Sequence, residues 1–166
     1  VLFALGLRSG ELRGLRWQNY DAVAATLHID KQAILIEGKL GIHDLKTAQS
    51  VRTLTLDKDI VEVIEEQQLK GLSPIYIFPN KKGVLMSKHV LSSTINDLCQ
   101  EVEIRRFTPK DGRNFALTRL ARAGLDAARL ARIAGHSSVL TTYKKYIKVL
   151  KGSKKYPLTL KDLNKG

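Results

Sequence analysis

Six side chains suited to attack on a phosphodiester lie scattered along the chain, each at the edge of a predicted element. They are Arg8, Lys46, Lys110, Arg113, His136 and Tyr146. Breaking such a bond without metal or activated water takes a nucleophile, positive charge for the phosphorane-like transition state and an acid for the departing 5′ oxygen. A tyrosine hydroxyl can be the nucleophile, guanidinium groups can hold the phosphate, and a lysine or histidine can move the proton.

Arginine suits the transition state because its planar guanidinium binds two non-bridging oxygens at once and keeps its charge near neutral pH. Arg8 and Arg113 are the candidates. Lys110 and Arg113 lie three residues apart in the first turn of a predicted helix, so they share a face near its positive N-terminus. This spacing predicts a phosphate site, and the alternative is a solvated basic face. For Arg8 the alternative is a capping or surface role, and for Lys46 an ordinary loop lysine.

Two tyrosines compete for the role of nucleophile. Tyr143 and Tyr146 lie seven and ten residues after His136, on neighbouring positions of one predicted helix face. A phenol has a pKa near about 10, so nearby cations have to favour the phenolate. His136 follows Gly135 in a predicted turn, where an imidazole could bind a phosphate oxygen or move a proton, and a purely structural histidine is the alternative.

Four segments together carry a family resemblance: Gly6-Leu7-Arg8-Ser9-Gly10-Glu11, Leu45-Lys46-Thr47, Lys110-Asp111-Gly112-Arg113 and Gly135-His136-Ser137-Ser138. In this order, and with Tyr146 after them, they resemble the tyrosine recombinase (phage integrase) family. The resemblance implies metal-independent cleavage and rejoining of DNA through a 3′-phosphotyrosyl intermediate, in site-specific integration or excision. It places Lys46 in a hairpin at the DNA minor groove as the general acid. It also favours Tyr146, because a ten-residue spacing occurs in a subset of phage-type integrases, whereas nine is usual.

The sequence departs from the family pattern at three further positions. Lys110 stands where a histidine is usual, Gly112 where a leucine is usual, and Asn114 where a histidine is frequent. None of these changes removes a required chemical group. A glycine inside a helix costs about 1 kcal/mol relative to alanine, so we expect a looser turn around Gly112.

Composition fits a nucleic-acid partner. The chain has 166 residues, 43% of them hydrophobic, and a formal net charge of +12. This length is enough for one domain with a core, and clustered Lys and Arg gain affinity by releasing counterions from phosphates. No apolar run is long enough to span a membrane. We expect double-stranded DNA as partner, a homo-oligomer, by resemblance a tetramer, on paired sites, and no cofactor or metal.

A single cysteine, Cys99, is predicted to be a buried small hydrophobe rather than a nucleophile, which fits a reducing cytoplasmic setting in a bacterial or phage-encoded, nucleoid-associated protein. The chain is expected to begin inside a truncated helix. Residues 1–150 are predicted to form the catalytic domain, without the family's N-terminal DNA clamp. Residues 151–166 are predicted to form a Lys-rich tail that packs on a neighbouring protomer, or else frays or folds back.

Periodicity predicts an α+β fold that is mostly helical, with a small three-stranded antiparallel sheet. The predicted strands contain Leu27 and Ile29, Ile34 and Ile36, and Val51, Leu54 and Leu56. Helix N-caps are predicted at Ser9, Asp57 or Asp59, Ser87, Thr108, Asp126, and Ser137 or Ser138. Predicted core positions on the helices are Ile60, Ile64, Leu69, Leu91, Ile95, Leu98, Val102, Phe115, Leu117, Leu120, Ala121, Leu130 and Ile133.

Three other functions compete with recombination. A type IB topoisomerase shares the catalytic groups and would relax supercoils without strand exchange. A nonenzymatic DNA-binding module would form no covalent adduct with DNA. A carboxylate-and-metal transposase is the weakest alternative, because no trio of acids and no metal motif is recognisable.

Overall fold

The structure, a computed structural model, describes residues 1–144. Its helices are α1 (Leu2–Leu5), α2 (Ser9–Arg13), α3 (Lys58–Lys70), α4 (Lys88–Glu101), α5 (Pro109–Arg122) and α6 (Ala127–Ala134), and residues 139–144 are also helical. Its strands are β1 (Tyr20–Asp21), β2 (Thr26–Ile29), β3 (Lys31–Ile36), β4 (Lys39–Asp44) and β5 (Arg52–Thr55). The predicted nucleophile Tyr146 and the predicted tail 151–166 lie outside the described residues.

The predicted three-stranded antiparallel sheet is confirmed, but one of its strands differs. The observed order is β1-β2-β5, with Leu27 opposite both Tyr20 and Leu54. The segment containing Ile34 and Ile36 instead forms β3, which pairs with β4 in a separate two-stranded ribbon. The hydrophobic pattern identifies this segment as a strand, but it does not specify which strand the segment pairs with.

A two-residue turn creates this ribbon. Ile36 pairs with Lys39, and the two residues between them, Glu37 and Gly38, both have positive φ, at 48° and 76°. Two residues with positive φ are what a tight hairpin requires. Only Ala33 of β3 is fully buried, and Leu35 and Ile36 are exposed. The ribbon packs beside α2, where the backbone carbonyl of Ala33 accepts a hydrogen bond from Arg13 Nη2 at 2.7 Å.

One core joins the sheet to the helices, and a smaller cluster lies between α5 and α6. The main core includes Leu7, Leu12, Leu27, Ile29, Leu54, Leu56, Ile60, Ile64, Leu91, Ile95 and Cys99. The smaller cluster is Leu117, Ala121, Leu130 and Ala134. The buried state predicted for Cys99 is confirmed. Within residues 1–144, every helix is too short or too polar to span a bilayer.

Most helix starts lie where local capping chemistry predicts them. Asp57, Ser87 and Asp126 each accept a backbone N–H of the following turn, and Thr108 exchanges hydrogen bonds with Asp111. The prediction for Ser9 is wrong, because Arg8 occupies the N-cap position of α2. There the backbone N–H of Arg8 donates to Glu11 Oε2 at 2.8 Å, so the cap is closed by an acid of the first turn.

Four predicted core residues are on the outside of their helices. Leu69, Leu98, Val102 and Phe115 are exposed, Leu69 by 88%. In α4 the buried stripe steps by four through Leu91, Ile95 and Cys99, which turns Leu98 away from the core. Phe115 lies edge-on to the ring of Phe3, with ring centres 5.5 Å apart.

Gly112 does not loosen α5. The helix continues through it without interruption, and the residue is buried where α5 packs on α1. A Cβ atom at this position would lie 3.6 Å from the Cβ of Leu2, which is an ordinary contact. The looser turn expected from sequence is therefore absent from the described structure.

The burial difference along α3 predicts unequal costs of truncation. Ile64 is fully buried and Leu69 is almost fully exposed. Ile64→Ala should lower the free energy of unfolding by about 2–5 kcal/mol, because it leaves a cavity in the core. Leu69→Ala, the matched control on the same helix, should change it by less than about 0.5 kcal/mol. Urea titration of both variants measures the difference, and equal losses would contradict this packing.

Candidate active site

The C-terminal end of α6 brings together the two predicted catalytic arginines. Arg8 Nη2 donates to the carbonyl of Gly135 at 2.7 Å, and Arg113 Nη2 donates to the carbonyl of Ala134 at 2.7 Å. Arg113 Nη1 also donates to the carbonyl of Gly6 at 2.6 Å, close to Arg8 in the chain. The last carbonyls of a helix carry partial negative charge, so they attract both cations.

Gly135 is required at this helix end for two reasons. It adopts the left-handed conformation, with φ at 63°, as the C-cap of α6. A Cβ atom there would lie 2.7 Å from Arg52 Nη1 and 3.1 Å from Arg8 Nη1. A larger residue would therefore strain the backbone and displace the guanidinium groups around it.

A buried carboxylate, Glu11, holds Arg8 from the other side. It is fully buried and accepts hydrogen bonds from Arg8 Nη1 at 2.7 Å and from Arg52 Nη2 at 2.9 Å. Burial by itself raises the pKa of the Glu11 carboxyl, but the hydrogen bonds and charges of Arg52 and Arg8 outweigh burial, so this pKa lies below its ordinary value. Glu11 is therefore ionised at neutral pH and fixes both arginines.

His136 is oriented by a partner on each ring nitrogen. Nδ1 lies 2.6 Å from the hydroxyl of Thr142, which is fully buried, and Nε2 lies 3.2 Å from Arg113 Nη2. A guanidinium can only donate, so Nε2 is the acceptor in the neutral ring. The proton is then on Nδ1 and is donated to Thr142 Oγ1. This tautomer turns an unprotonated nitrogen toward the arginine at the site.

Lys46 lies on the rim of a cleft of about 280 Å³ beside these groups. The cleft is lined by Arg8, Glu11, Gln32, Leu45, Lys46, Thr47, Ser50, Gly135 and Ser137. Lys46 is exposed and precedes a short 3₁₀ turn, Ala48–Ser50, just before β5. Lys46 thus lies in the connection between β4 and β5, and it lines the same cleft as Arg8.

Lys110 shares the first turn of α5 with Arg113 but not its surroundings. Arg113 is buried with 8% of its surface exposed, whereas Lys110 is exposed. Lys110 and Arg113 therefore do not act as one buried pair: Arg113 contacts the end of α6, and Lys110 is exposed to solvent.

Of the two candidate tyrosines, the structure describes only Tyr143. It lies in the helical segment 139–144 and has 47% of its surface exposed. Its neighbour Thr142 is the buried partner of His136. The hydrogen bond between Thr142 and His136 therefore holds this helical segment beside the site. The placement of Tyr146 stays a prediction.

Sequence reasoning missed four residues that build the site: Glu11, Ser50, Arg52 and Thr142. Two of them have a local signal. Glu11 follows Arg8 by three residues, in the position from which an acid can close a helix start. Thr142 follows His136 by six residues, close enough for its hydroxyl to form a hydrogen bond with the imidazole ring. Nothing in the sequence separates Ser50 and Arg52 from other polar residues before a strand.

Known proteins resemble this chain in sequence and in fold. Residues 1–152 match the sequence profile of the Phage integrase family. The chain is 25% identical over 157 residues to the ICEBs1 integrase of Bacillus subtilis strain 168, covering 88% of this chain and 42% of that protein. The Tn1549 transposon integrase, solved in complex with transposon right end DNA, is 22% identical, with a TM-score of 0.77 over 93% of this chain and 56% of that one. XerA recombinase is 22% identical, with a TM-score of 0.75 over 96% and 55%.

This chain spans about half the length of the relatives it matches. At such low identity the solved structures establish the fold, which is that of a tyrosine recombinase catalytic domain. The sequence profile covers 152 of the 166 residues and includes Arg8, Lys46, Lys110, Arg113, His136 and Tyr146. The chain belongs to the phage integrase family.

Proposed function

We propose that this chain is the catalytic domain of a site-specific recombinase that integrates or excises phage or genomic-island DNA. The observation that carries the proposal is the end of α6, where Arg8, Arg113 and His136 meet next to the cleft that Lys46 borders. The names of the relatives, integrase and recombinase, favour strand exchange over DNA relaxation or simple binding. The DNA in the Tn1549 integrase complex and the charge of +12 support double-stranded DNA as the substrate.

Arg8 and Arg113 would bind the scissile phosphate. A guanidinium has five N–H donors, and the Arg8 side chain, 37% exposed, directs two of them to Glu11 and Gly135. The same side chain lines the cleft. Because Glu11 and the carbonyls of α6 hold these groups in place, they need no reorganisation when charge develops on the phosphorane. Lys110 would add positive charge from the first turn of α5.

Tyr146 would attack phosphorus through its hydroxyl oxygen, and the bond from phosphorus to the 5′ oxygen would break. His136 would take the phenolic proton on Nε2, which accepts from Arg113 Nη2 in this structure and would first have to release that hydrogen bond. Lys46 would give a proton to the departing 5′ oxygen. The resulting 3′-phosphotyrosyl ester keeps the energy of the broken bond, so attack by a 5′ hydroxyl of another strand would rejoin DNA and release Tyr146.

Assembly is part of the same proposal. Recombination joins two DNA sites, so we propose a homo-oligomer, a tetramer, on paired sites. The tail 151–166, with Leu158, Leu160 and Leu163 among lysines, would pack on a neighbouring protomer. The protein would be located in the bacterial cytoplasm, in association with the nucleoid.

The first test concerns the nucleophile. The natural full-length protein, incubated with a nicked suicide DNA substrate, should form a covalent adduct that peptide mass spectrometry assigns to Tyr146. Tyr146→Phe should abolish the adduct because no hydroxyl remains to attack. Tyr143→Phe is the matched control and should keep it. An adduct on Tyr143, or one that survives Tyr146→Phe, would refute the assignment.

A second test separates catalysis from binding at the arginines. Arg8→Ala and Arg113→Ala should each slow cleavage by at least about a hundredfold, because they stabilise charge that exists only in the transition state. Their DNA affinity should change little. The measurement is single-turnover cleavage alongside equilibrium binding at fixed salt.

Arg129→Ala provides the control for loss of a surface charge on α6. Arg129 is exposed and pairs with Asp126 at 3.5 Å. Its removal should leave the cleavage rate within about threefold of the wild type. If Arg8→Ala and Arg113→Ala lose affinity and rate in equal proportion, they are ordinary phosphate contacts.

A further inference from the structure

The carbonyl of Gly135 receives hydrogen bonds from two directions. Arg8 Nη2 donates from one side, and the hydroxyl of Ser50 donates from the other at 3.1 Å. Ser50 is buried, with 7% of its surface exposed. One oxygen at the end of α6 thus connects the arginine turn with the segment that carries Lys46.

The direction of the hydrogen bonds around Ser50 follows from the groups involved. A carbonyl can only accept, so the single hydroxyl proton of Ser50 is given to Gly135. Ser50 Oγ also lies 2.9 Å from Thr47 Oγ1. Thr47 is therefore the donor in that contact, and a two-step relay runs from the residue next to Lys46 to the end of α6. Removal of either hydroxyl breaks it.

Arg52 holds the backbone of the same residue. Its Nη1 donates to the carbonyl of Ser50 at 3.0 Å while its Nη2 donates to Glu11 at 2.9 Å. Ser50 is thus fixed through its carbonyl to the Glu11 cluster and through its hydroxyl to α6. The preceding residues Lys46, Ala48 and Gln49 are exposed. Ser50 is where this exposed loop becomes attached to the site.

We propose that Ser50 is a positioning residue for Lys46: its hydrogen bond to Gly135 fixes the Lys46 loop relative to Arg8 and His136. The loop-holding part stands on the geometry, whereas the role in proton transfer rests on the proposed function of Lys46 as the acid. A misplacement of about 1 Å at a catalytic group can cost about a hundredfold in rate. Ser50→Ala should therefore impair the step that Lys46 performs without removing a group that contacts DNA.

Hydrogen exchange tests the loop-holding part. The amide of Ser50 donates to the carbonyl of Thr47, and the amide of Val51 donates to that of Ala48. Ser50→Ala should speed exchange of these amides by about fivefold or more, the effect expected from loss of one hydrogen bond. Amides of the β3–β4 ribbon should keep their rates. Thr53→Val, which removes an exposed hydroxyl on β5, is the control and should leave the loop unchanged.

Cleavage of two DNA substrates tests the catalytic part. On an ordinary phosphodiester, Ser50→Ala and Thr47→Val should be slowed by about tenfold or more. On a bridging 5′-phosphorothiolate, the thiolate leaves without taking a proton when the bond from phosphorus to sulfur breaks. The defects of Ser50→Ala, Thr47→Val and Lys46→Ala should shrink together on this substrate. Arg8→Ala should stay slow on both, and Ser50→Thr, which keeps the hydroxyl, should recover activity on the ordinary one.

The outcomes are distinguishable. Unchanged exchange of the Ser50 and Val51 amides in Ser50→Ala would overturn the loop-holding role. A looser loop combined with wild-type cleavage, or with a defect that the phosphorothiolate does not rescue while Lys46→Ala is rescued, would overturn the link to Lys46. If Lys46→Ala itself is not rescued, the acid in the proposed function is wrong, and exchange alone then decides whether Ser50 holds the loop.

Discussion

The site depends on one buried carboxylate. Glu11 has no solvent exposure, yet it is charged, because it accepts hydrogen bonds from Arg8 and from Arg52. A buried ion is costly unless its hydrogen-bonding capacity is filled, and here both oxygens are used more than once. Such a cluster specifies one arrangement of its members, since any displacement leaves a charge without a partner. The position of Arg8 follows from this constraint.

Hydrogen bonds connect this carboxylate, directly or through its arginines, with three distant parts of the chain. Helix α2 has only five residues and could not persist alone, so the hydrogen bonds at its start and its packing on the ribbon stabilise it. Arg52 also donates to the carbonyl of Ser50, just before β5. The hydroxyl of Ser50 in turn donates to the carbonyl of Gly135 at the end of α6. His136 follows immediately and is held by Arg113 and Thr142. The two arginines and the histidine proposed for phosphate chemistry are thus held at the same helix end.

The sequence predicts those features whose causes are local. Capping residues such as Asp57, Thr108 and Asp126 predict helix starts because the hydrogen bonds involved lie within one turn. The sheet strand around Ile34 and the exposed Phe115 were predicted wrongly because pairing and burial depend on which distant element lies alongside. The same limit hides the contact between Glu11 and Arg52: a first-turn acid usually complements the helix dipole, and only the folded chain brings a second arginine to it.

A double-mutant cycle on Glu11 and Arg52 tests the central claim most directly. The unfolding free energies of Glu11→Gln, Arg52→Met and the double variant, measured at pH 7, give the coupling between the two side chains. If the buried cluster organises the site, each single variant should cost about 3–5 kcal/mol, because each leaves a buried charge poorly compensated. The double variant should then cost less than their sum by at least about 1 kcal/mol. Additive losses would show that Glu11 and Arg52 act independently and would contradict this account.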